Sequence, residues 1–250
     1  MEGAQTFTMN LVNRLLASPR VVTRASRLYG SICSGVSSYS DNSADIIARI
    51  QPDVSENNRT LYLTFDDGPG PASMDVIDEL NSFGAAATFF FLGSAISEWK
   101  DPHALISNLN SGRHAIGLHG YDHLNAWKVQ TDTMVMDQCA GLQAIKAIFG
   151  PEWSRQLCWA RPPYGRLTNS LLNWYASQKM NVALWDVAPV DYLSNPAERS
   201  EADVIQFIRR TVRPGSLVLL HANRPVWREG MSALFRTLLE DGWRLAALPT

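Results

Sequence analysis

From residue 61 onward, short apolar runs alternate with segments of helical periodicity, and this alternation constrains the possible folds more than any other feature of the sequence. Apolar runs that alternate with helices predict βα units and a parallel sheet. The runs are almost continuously apolar, as expected for strands buried on both faces. We expect strands within 61–67, 85–93, 114–120, 157–165, 181–187, 215–222 and 243–248, and helices near 72–83, 103–111, 131–148, 169–179, 201–211 and 230–240.

About seven parallel strands fit either an open doubly wound sheet or a relative of the eight-stranded βα barrel. Reactive polar residues follow most of the runs, and in a barrel all these strand ends open onto one face. An open sheet gathers ligands only near the point where its strand order reverses. The sequence therefore predicts an α/β fold, a distorted (β/α) barrel. The residues that favour it are Asp66, Asp67, His119, Arg161, Asp191 and His221.

The first 60 residues differ from the rest of the chain. They begin with the periodicity of a basic amphipathic helix, and residues 38–60 are polar like a linker. We predict a helical and then polar extension over 1–60, followed by one domain over 61–250. The helix either packs on that domain or contacts a membrane surface. Because no secretory signal and no spanning segment is visible, a cytoplasmic location is favoured.

Charge and cysteine content argue against several classes of protein. The formal net charge of −2 gives no support to a nucleic-acid partner. The three cysteines form no CxxC pair, which argues against a disulfide framework and against a thiolate metal site.

Two short motifs are candidates for a metal site. Asp66 and Asp67 end the first strand before Gly68, and a Gly-Pro turn can bend the backbone so that both carboxylates face one centre. His119 and His123 have HxxxH spacing, and on a helical turn their imidazoles would share a face. Two imidazoles and one carboxylate make an open site for zinc or another divalent cation. Alternatively, the aspartates form an ordinary turn and the histidine spacing is coincidence.

Two further groups follow later strands. Arg161 lies in a loop stiffened by prolines and is suited to a bidentate pair with a carboxylate, or to a surface ion pair. Asp191 and His221 could form a carboxylate–imidazole pair, in which the carboxylate raises the pKa of the imidazole and orients it. His103 and His114 lack such neighbours, so we interpret both as structural.

In this order, the motifs resemble those of the polysaccharide deacetylase family, carbohydrate esterase family four. The resemblance covers about residues 61–248 and implies a distorted βα barrel. One departure concerns the metal motif, where the family has Ser or Thr and this chain has Gly120. The matching segments are TFDDGP at 64–69, HGYDH at 119–123, RPPYG at 161–165, DVAPVDY at 186–192 and LVLLH at 217–221.

The resemblance implies metal-dependent removal of an N-acetyl, or alternatively an O-acetyl, group from a saccharide. Asp67, His119 and His123 would hold a divalent metal, with Zn²⁺ preferred over Co²⁺, Ni²⁺ and Mn²⁺. The metal would lower the pKa of a water molecule and polarise the acetyl carbonyl. The substrate would be an N-acetylated polymer, an oligomer or a lipid-linked sugar.

The resemblance also assigns the proton transfers. Asp66 would be the general base, paired with Arg161, and His221, oriented by Asp191, would be the general acid for the departing amine. The backbone N–H of Tyr164 would help to stabilise the oxyanion. Three tryptophans are candidates either for sugar stacking or for the core: Trp127, Trp159 and Trp227.

Two other functions remain open from the sequence. One is a deacylase of a non-sugar amide on the same barrel, since one fold can host several chemistries. The other is a non-catalytic carbohydrate-binding homologue, which should lack one of the catalytic or metal-binding residues. All of these residues are present in the chain.

Overall fold

The computed structural model describes Arg24 and residues 44–51, 59–192, 200–222, 227 and 231–250. The expected amphipathic helix, with its membrane contact, lies outside the described residues. The boundary at residue 60 therefore stays a prediction. Within the described part of the chain, no helix has the length and apolar character needed to cross a membrane.

The centre of the molecule is an eight-stranded sheet in which all strand pairs are parallel. The expected runs all contain strands, although most strands are shorter than the runs. One strand was not expected, because β1 lies in the polar segment that we interpreted as a linker. The strands are β1 (Ile46–Ile47), β2 (Thr60–Gly68), β3 (Thr88–Phe91), β4 (Ala115–Leu118), β5 (Trp159–Ala160), β6 (Asn181–Ala183), β7 (Leu217–Leu220) and β8 (Arg244–Ala246).

Helices follow the strands at nearly all the expected positions. Two details differ: the short helix α2 was not expected, and α4 continues beyond residue 148. The continuation is a second helical piece, since Gly150 breaks α4 with φ 76° and ψ −173°. The helices are α1 (Ser73–Ser82), α2 (Gly93–Ser97), α3 (Pro102–Ser111), α4 (Thr131–Gln156), α5 (Asn169–Ser177), α6 (Glu201–Thr211) and α7 (Ser232–Glu240).

The sheet curves until its two ends meet, in the order β1-β6-β5-β4-β3-β2-β7, while β8 pairs with β2. Val187, just after β6, forms a parallel bridge with Val218 of β7. The neighbouring Asp186 is buried and accepts hydrogen bonds from the Leu217 N–H and the Ser216 hydroxyl, both at 3.1 Å. The prediction of a distorted (β/α) barrel is therefore confirmed, and the open doubly wound sheet is excluded.

His114, immediately before β4, makes only the contacts of a structural residue within the described part of the chain. His114 is buried, and its Nδ1 accepts the Ala87 N–H at 3.0 Å. Its Nε2 lies 3.1 Å from the side-chain oxygen of Asn81, and this geometry assigns the ring proton to Nε2. Burial lowers the pKa of His114 to about 4. The imidazole is therefore neutral in the folded protein near neutral pH.

Candidate active site

The paired aspartates leave β2 through an irregularity in the strand. The pairing register with β3 shifts between Phe65 and Gly68, and Asp67 has a left-handed φ of 69°. This bend replaces the strict alternation of side chains, so both carboxylates approach the same imidazole. His119 Nε2 lies 3.7 Å from Asp66 Oδ2 and 3.5 Å from Asp67 Oδ1. The bend lies at Asp67 itself, one residue before the Gly-Pro step that we had expected to provide it.

His119 and His123 converge without a helix, so the expected helical turn is wrong. Residues 119–123 form an irregular loop after β4. Gly120 and His123 have φ values of 83° and 57°, which reverse the chain locally. The two imidazole rings consequently lie with centroids 5.1 Å apart. The i, i+4 spacing brings these side chains together through two left-handed residues.

Asp67, His119 and His123 form a cluster that fits a divalent cation. One donor atom from each residue can be chosen so that all lie within 4.8 Å of one another. His119 Nδ1 lies 2.6 Å from the Arg161 carbonyl oxygen, which can only accept a hydrogen bond. Nδ1 therefore carries the proton, and the lone pair on Nε2 faces the cluster. Two imidazoles and one carboxylate are a usual open donor set for zinc.

The histidines also affect the ionisation of the carboxylate between them. Asp67 Oδ1 lies 3.2 Å from His123 Nε2. Burial by itself raises the pKa of Asp67, but in the metal-free protein hydrogen bonds from the protonated forms of His119 and His123 outweigh burial, and the pKa is lowered well below its ordinary value. Asp67 is therefore a carboxylate at neutral pH, the form required of a metal ligand.

Arg161 is fully buried beneath Asp66. Its Nη1 donates to Asp66 Oδ1 at 2.7 Å and to the Thr64 hydroxyl at 2.8 Å. The expected bidentate pair does not form, because Nε and Nη2 donate to the carbonyl oxygens of Ala183 and Leu184. The guanidinium thus fixes one oxygen of Asp66 and joins the ends of β2, β5 and β6.

A second carboxylate–imidazole unit lies across the mouth of the barrel, which is the end where the C-terminal ends of the strands open. Asp191 Oδ1 accepts from His221 Nδ1 at 2.9 Å, and Oδ2 accepts from the His221 backbone N–H at 2.7 Å. His221 Nε2 then faces the cluster, 4.0 Å from Asp67 Oδ2. Burial lowers the pKa of His221, but Asp191, with help from Asp66 and Asp67, outweighs burial and raises it. The protonated imidazole is favoured.

Exposed aromatic side chains lie near this mouth, but only one of the three candidate tryptophans is among them. Tyr164 is exposed beside His123, with ring centroids 4.5 Å apart, and Tyr192 lies beside His221 at 5.6 Å. Trp127 is 54% exposed, and the guanidinium of Arg166 lies 4.0 Å from its ring centroid. The other two candidate tryptophans are core residues that donate to protein acceptors, Trp159 to Pro249 and Trp227 to Asp191.

Sequence reasoning missed two residues that support the site. Thr64 accepts from Arg161 and donates to the Val218 carbonyl at 2.8 Å. Its position two residues before Asp66, on the same strand face, was an available signal. Asp137 accepts hydrogen bonds from two backbone amides of the 119–123 loop. The available sequence signal for Asp137 was an acidic residue at a position of α4 that belongs to the buried face of the helix.

Comparisons with known proteins agree with the fold. A sequence model of the polysaccharide deacetylase family matches residues 53–183. A chitooligosaccharide deacetylase from Azorhizobium caulinodans is 30% identical over 69% of this chain and 78% of its own length. A peptidoglycan-N-acetylmuramic acid deacetylase from Bacillus subtilis is 28% identical over 78% of this chain, which spans 39% of that protein. The solved structure of a peptidoglycan deacetylase from Bacillus subtilis has a TM-score of 0.65 at 28% identity, covering 77% of this chain and 89% of the other.

Proposed function

This chain belongs to the polysaccharide deacetylase family, and from that premise we propose that it hydrolyses the N-acetyl group of an amino sugar and releases acetate. The observation that carries the proposal is the convergence of Asp66, the Asp67–His119–His123 cluster and His221 at one mouth of the barrel. The relatives described above are named for muramic acid and for chitooligosaccharides. N-Acetylated amino sugars are the chemistry that those two names share.

We assign Asp67, His119 and His123 as the residues that hold a divalent metal, preferably Zn²⁺. Their donor types support Zn²⁺, and Co²⁺, Ni²⁺ and Mn²⁺ are the alternatives for reconstitution. When bound, such an ion acts as a Lewis acid that lowers the pKa of water and polarises a carbonyl. We leave Asp66 outside this set because the cluster comprises Asp67, His119 and His123, and Asp66 is instead held by Arg161 at its Oδ1.

Asp66 is the proposed general base. Its carboxylate takes a proton from the attacking water, while Arg161 and Thr64 keep it oriented. The backbone N–H of Tyr164, which has a left-handed φ of 59° beside His123, is the proposed protein donor to the developing oxyanion. These groups serve the attack on the carbonyl carbon.

His221 is the proposed general acid. Its Nδ1 proton is engaged by Asp191, so Nε2 is the atom that can give a proton to the departing amine. Against the effect of burial, the carboxylates of Asp191, Asp66 and Asp67 raise the pKa of His221 and so favour retention of that proton. Without such a donor the amine would have to leave as an anion, which is prohibitively slow.

Exposed aromatics favour a saccharide over a non-sugar amide. Trp127, Tyr164 and Tyr192 are exposed, and the two tyrosine rings lie beside His123 and His221. Trp127 donates from its Nε1 to the Leu167 carbonyl, three residues after Tyr164. Such rings combine an apolar face with polar edges and are suited to the faces of sugar rings. The proposed substrate therefore occupies the mouth with at least one sugar against these rings.

The test is acetate release from N-acetylglucosamine oligomers, peptidoglycan, acetylated xylan and lipid-linked amino sugars, before and after removal of metal. We expect release from at least one N-acetylated substrate, loss of release with a chelator, and recovery on adding Zn²⁺ or Co²⁺. His119→Ala is the matched control, which Zn²⁺ should not rescue. Acetate release that survives exhaustive chelation would refute the proposal, as would inactivity on every substrate.

A further inference from the structure

The loop that carries both histidine ligands adopts an unfavourable backbone conformation. His123 has a φ of 57°, and the left-handed conformation is unfavourable for a residue other than glycine. Such a conformation persists only when neighbouring groups fix it. Helix α2 holds one side of the loop, since the Gly93 N–H donates to the Gly120 carbonyl at 2.8 Å and the Ser94 hydroxyl donates to the Tyr121 carbonyl at 2.6 Å.

Asp137 of α4 holds the other side. Its Oδ2 accepts the Tyr121 N–H at 3.0 Å, and its Oδ1 accepts the Asp122 N–H at 2.8 Å. The two oxygens therefore bind successive amides between His119 and His123. Hydrogen bonds from N–H groups to a carboxylate are stronger than those to a neutral acceptor.

Buried side chains fix Asp137 in turn. Gln138 is fully buried, and its Nε2 donates to Asp137 Oδ2 at 3.2 Å. Gln138 Oε1 accepts from the hydroxyl of Tyr175 on α5 at 2.8 Å. Burial, together with the charge of Asp137, raises the pKa of Tyr175 well above its ordinary value, so the hydroxyl keeps its proton. The chain Tyr175–Gln138–Asp137 links the loop to two helices.

The same chain explains the glycine at position 120. A Cβ on Gly120 would lie 2.6 Å from Asp137 Oδ2 and 2.5 Å from Gln138 Nε2. Both distances are shorter than real Cβ contacts. The space beside position 120, where the family pattern has a hydroxyl side chain, is thus filled here by the Asp137 carboxylate and the Gln138 amide.

We propose that Asp137 is a positioning residue for metal binding, which holds the 119–123 loop so that His119 and His123 converge, in place of the hydroxyl absent at Gly120. The inference rests on the metal site of the proposed function. Asp137 touches neither the metal nor the substrate and acts through the loop backbone. Supporting groups of this kind typically change metal affinity 10–100-fold when removed.

The test is Zn²⁺ titration of metal-free protein in competition with a chromophoric chelator, comparing wild type with Asp137→Asn. The amide replaces one acceptor oxygen with a donor that opposes the loop N–H. We expect the Kd for Zn²⁺ to rise about 10–100-fold, with an altered visible spectrum of the Co²⁺-loaded protein. Asp132→Asn changes an exposed acid on the same helix and should leave the Kd unchanged.

A purely structural role predicts a lower unfolding midpoint for Asp137→Asn with the same Kd for Zn²⁺, and that result overturns the inference. If this variant does not fold, Tyr175→Phe decides instead, because it removes only the hydroxyl that anchors Gln138. We expect its Kd to rise about threefold, less than the 10–100-fold typical of a group that holds the ligand loop directly, because Tyr175 acts only through Gln138. An unchanged Kd in a folded Tyr175→Phe protein overturns the inference.

The two proposals can fail separately. Wild-type protein that binds Zn²⁺ and releases no acetate refutes the proposed function, while the comparison of Kd values still decides the role of Asp137. Wild-type protein with no measurable affinity for Zn²⁺ overturns both.

Discussion

At the scale of single residues, Asp66 and Asp67 are neighbours in the chain and have different surroundings. Asp66 is 5% exposed and shares one oxygen with Arg161, while Asp67 lies between the two histidines. Asp67, which lies between two imidazoles, is the proposed metal ligand. Asp66, which a guanidinium holds at one oxygen, is the proposed proton acceptor. Two adjacent groups of the same chemistry thus acquire separate proposed roles.

Replacing Asp66 by Asn tests this division. The amide cannot accept the proton of the attacking water, so we expect deacetylation to fall roughly 10³-fold. The Kd for Zn²⁺ should stay within about threefold of wild type, since Asp66 lies outside the proposed ligand set. Steady-state kinetics and Zn²⁺ titration of the same preparation measure both. Loss of Zn²⁺ binding in this variant would show that the two roles are misassigned.

Trp127 is one of the three exposed aromatics whose proposed role is contact with the sugar rings of the substrate. We expect Trp127→Ala to raise KM about tenfold, equal to about 1.4 kcal/mol of binding, with kcat nearly unchanged because the ring touches no reacting group. Trp127→Phe keeps a stacking face and should recover most of the affinity. Met136→Ala removes another exposed apolar side chain, on α4, and serves as the control. An unchanged KM in Trp127→Ala would remove this residue from the substrate site.

At the scale of secondary-structure elements, polar side chains join the ends of strands to neighbouring helices. His114 at the start of β4 joins the backbone before β3 to Asn81 of α1. Its bond from the Ala87 N–H exists only while Nδ1 is unprotonated. Acid therefore disrupts this junction.

The pH dependence of stability follows from this junction. The folded pKa of about 4 lies below the ordinary value of 6.5, so His114 gives its full stabilisation above pH 6.5 and loses it as pH falls toward 4. The loss is on the order of 3 kcal/mol by pH 4, from 1.36 kcal/mol per pKa unit. Urea denaturation of metal-free protein between these pH values should show this slope in wild type and a flatter slope in His114→Gln.

The loss of stability between pH 6.5 and 4 should depend on the buried His114 and not on the number of histidines. His103→Gln replaces an exposed histidine on α3 and should retain the wild-type slope. If His114→Gln and wild type lose stability in parallel between pH 6.5 and 4, the buried neutral state of His114 is not the cause.

At the scale of the whole molecule, the proposed metal site joins parts of the barrel that are far apart in sequence. Asp67 belongs to β2, whereas His119 and His123 follow β4. An unfolded chain cannot present these donors together, so a bound ion stabilises only the folded state. Metal binding should therefore appear as thermal stability as well as activity.

Thermal unfolding with and without Zn²⁺ measures this coupling. At free Zn²⁺ 100-fold above its Kd we expect about 2.7 kcal/mol of stabilisation, and a rise in Tm of roughly 5–10 °C for a chain of this size. Chelator should abolish the rise, and His119→Ala should show none. A similar rise in His119→Ala would place the stabilising ion elsewhere on the protein.

Local pattern determined much of this protein. The alternation of strands and helices, and with it the parallel sheet, follows from short apolar runs and a helical periodicity of 3.6 residues, which are local properties of the chain. The barrel class follows from the reactive residues that come after the apolar runs. The motifs with Asp66, His119, Arg161 and His221 could be read because reactive side chains follow buried strands. These positions meet at one face for topological reasons, whatever the details of packing.

Only the tertiary structure decided how each side chain is oriented. The left-handed turns at Asp67 and His123, the single contact of Arg161 with Asp66, and the binding of loop amides by Asp137 depend on groups distant in sequence. Burial of Trp159 and exposure of Trp127 were decided in the same way. Close packing and the need to satisfy buried polar groups select one arrangement among several that the sequence allows. This selection depends on contacts between secondary-structure elements, and the linear sequence pattern does not specify the distances between those elements.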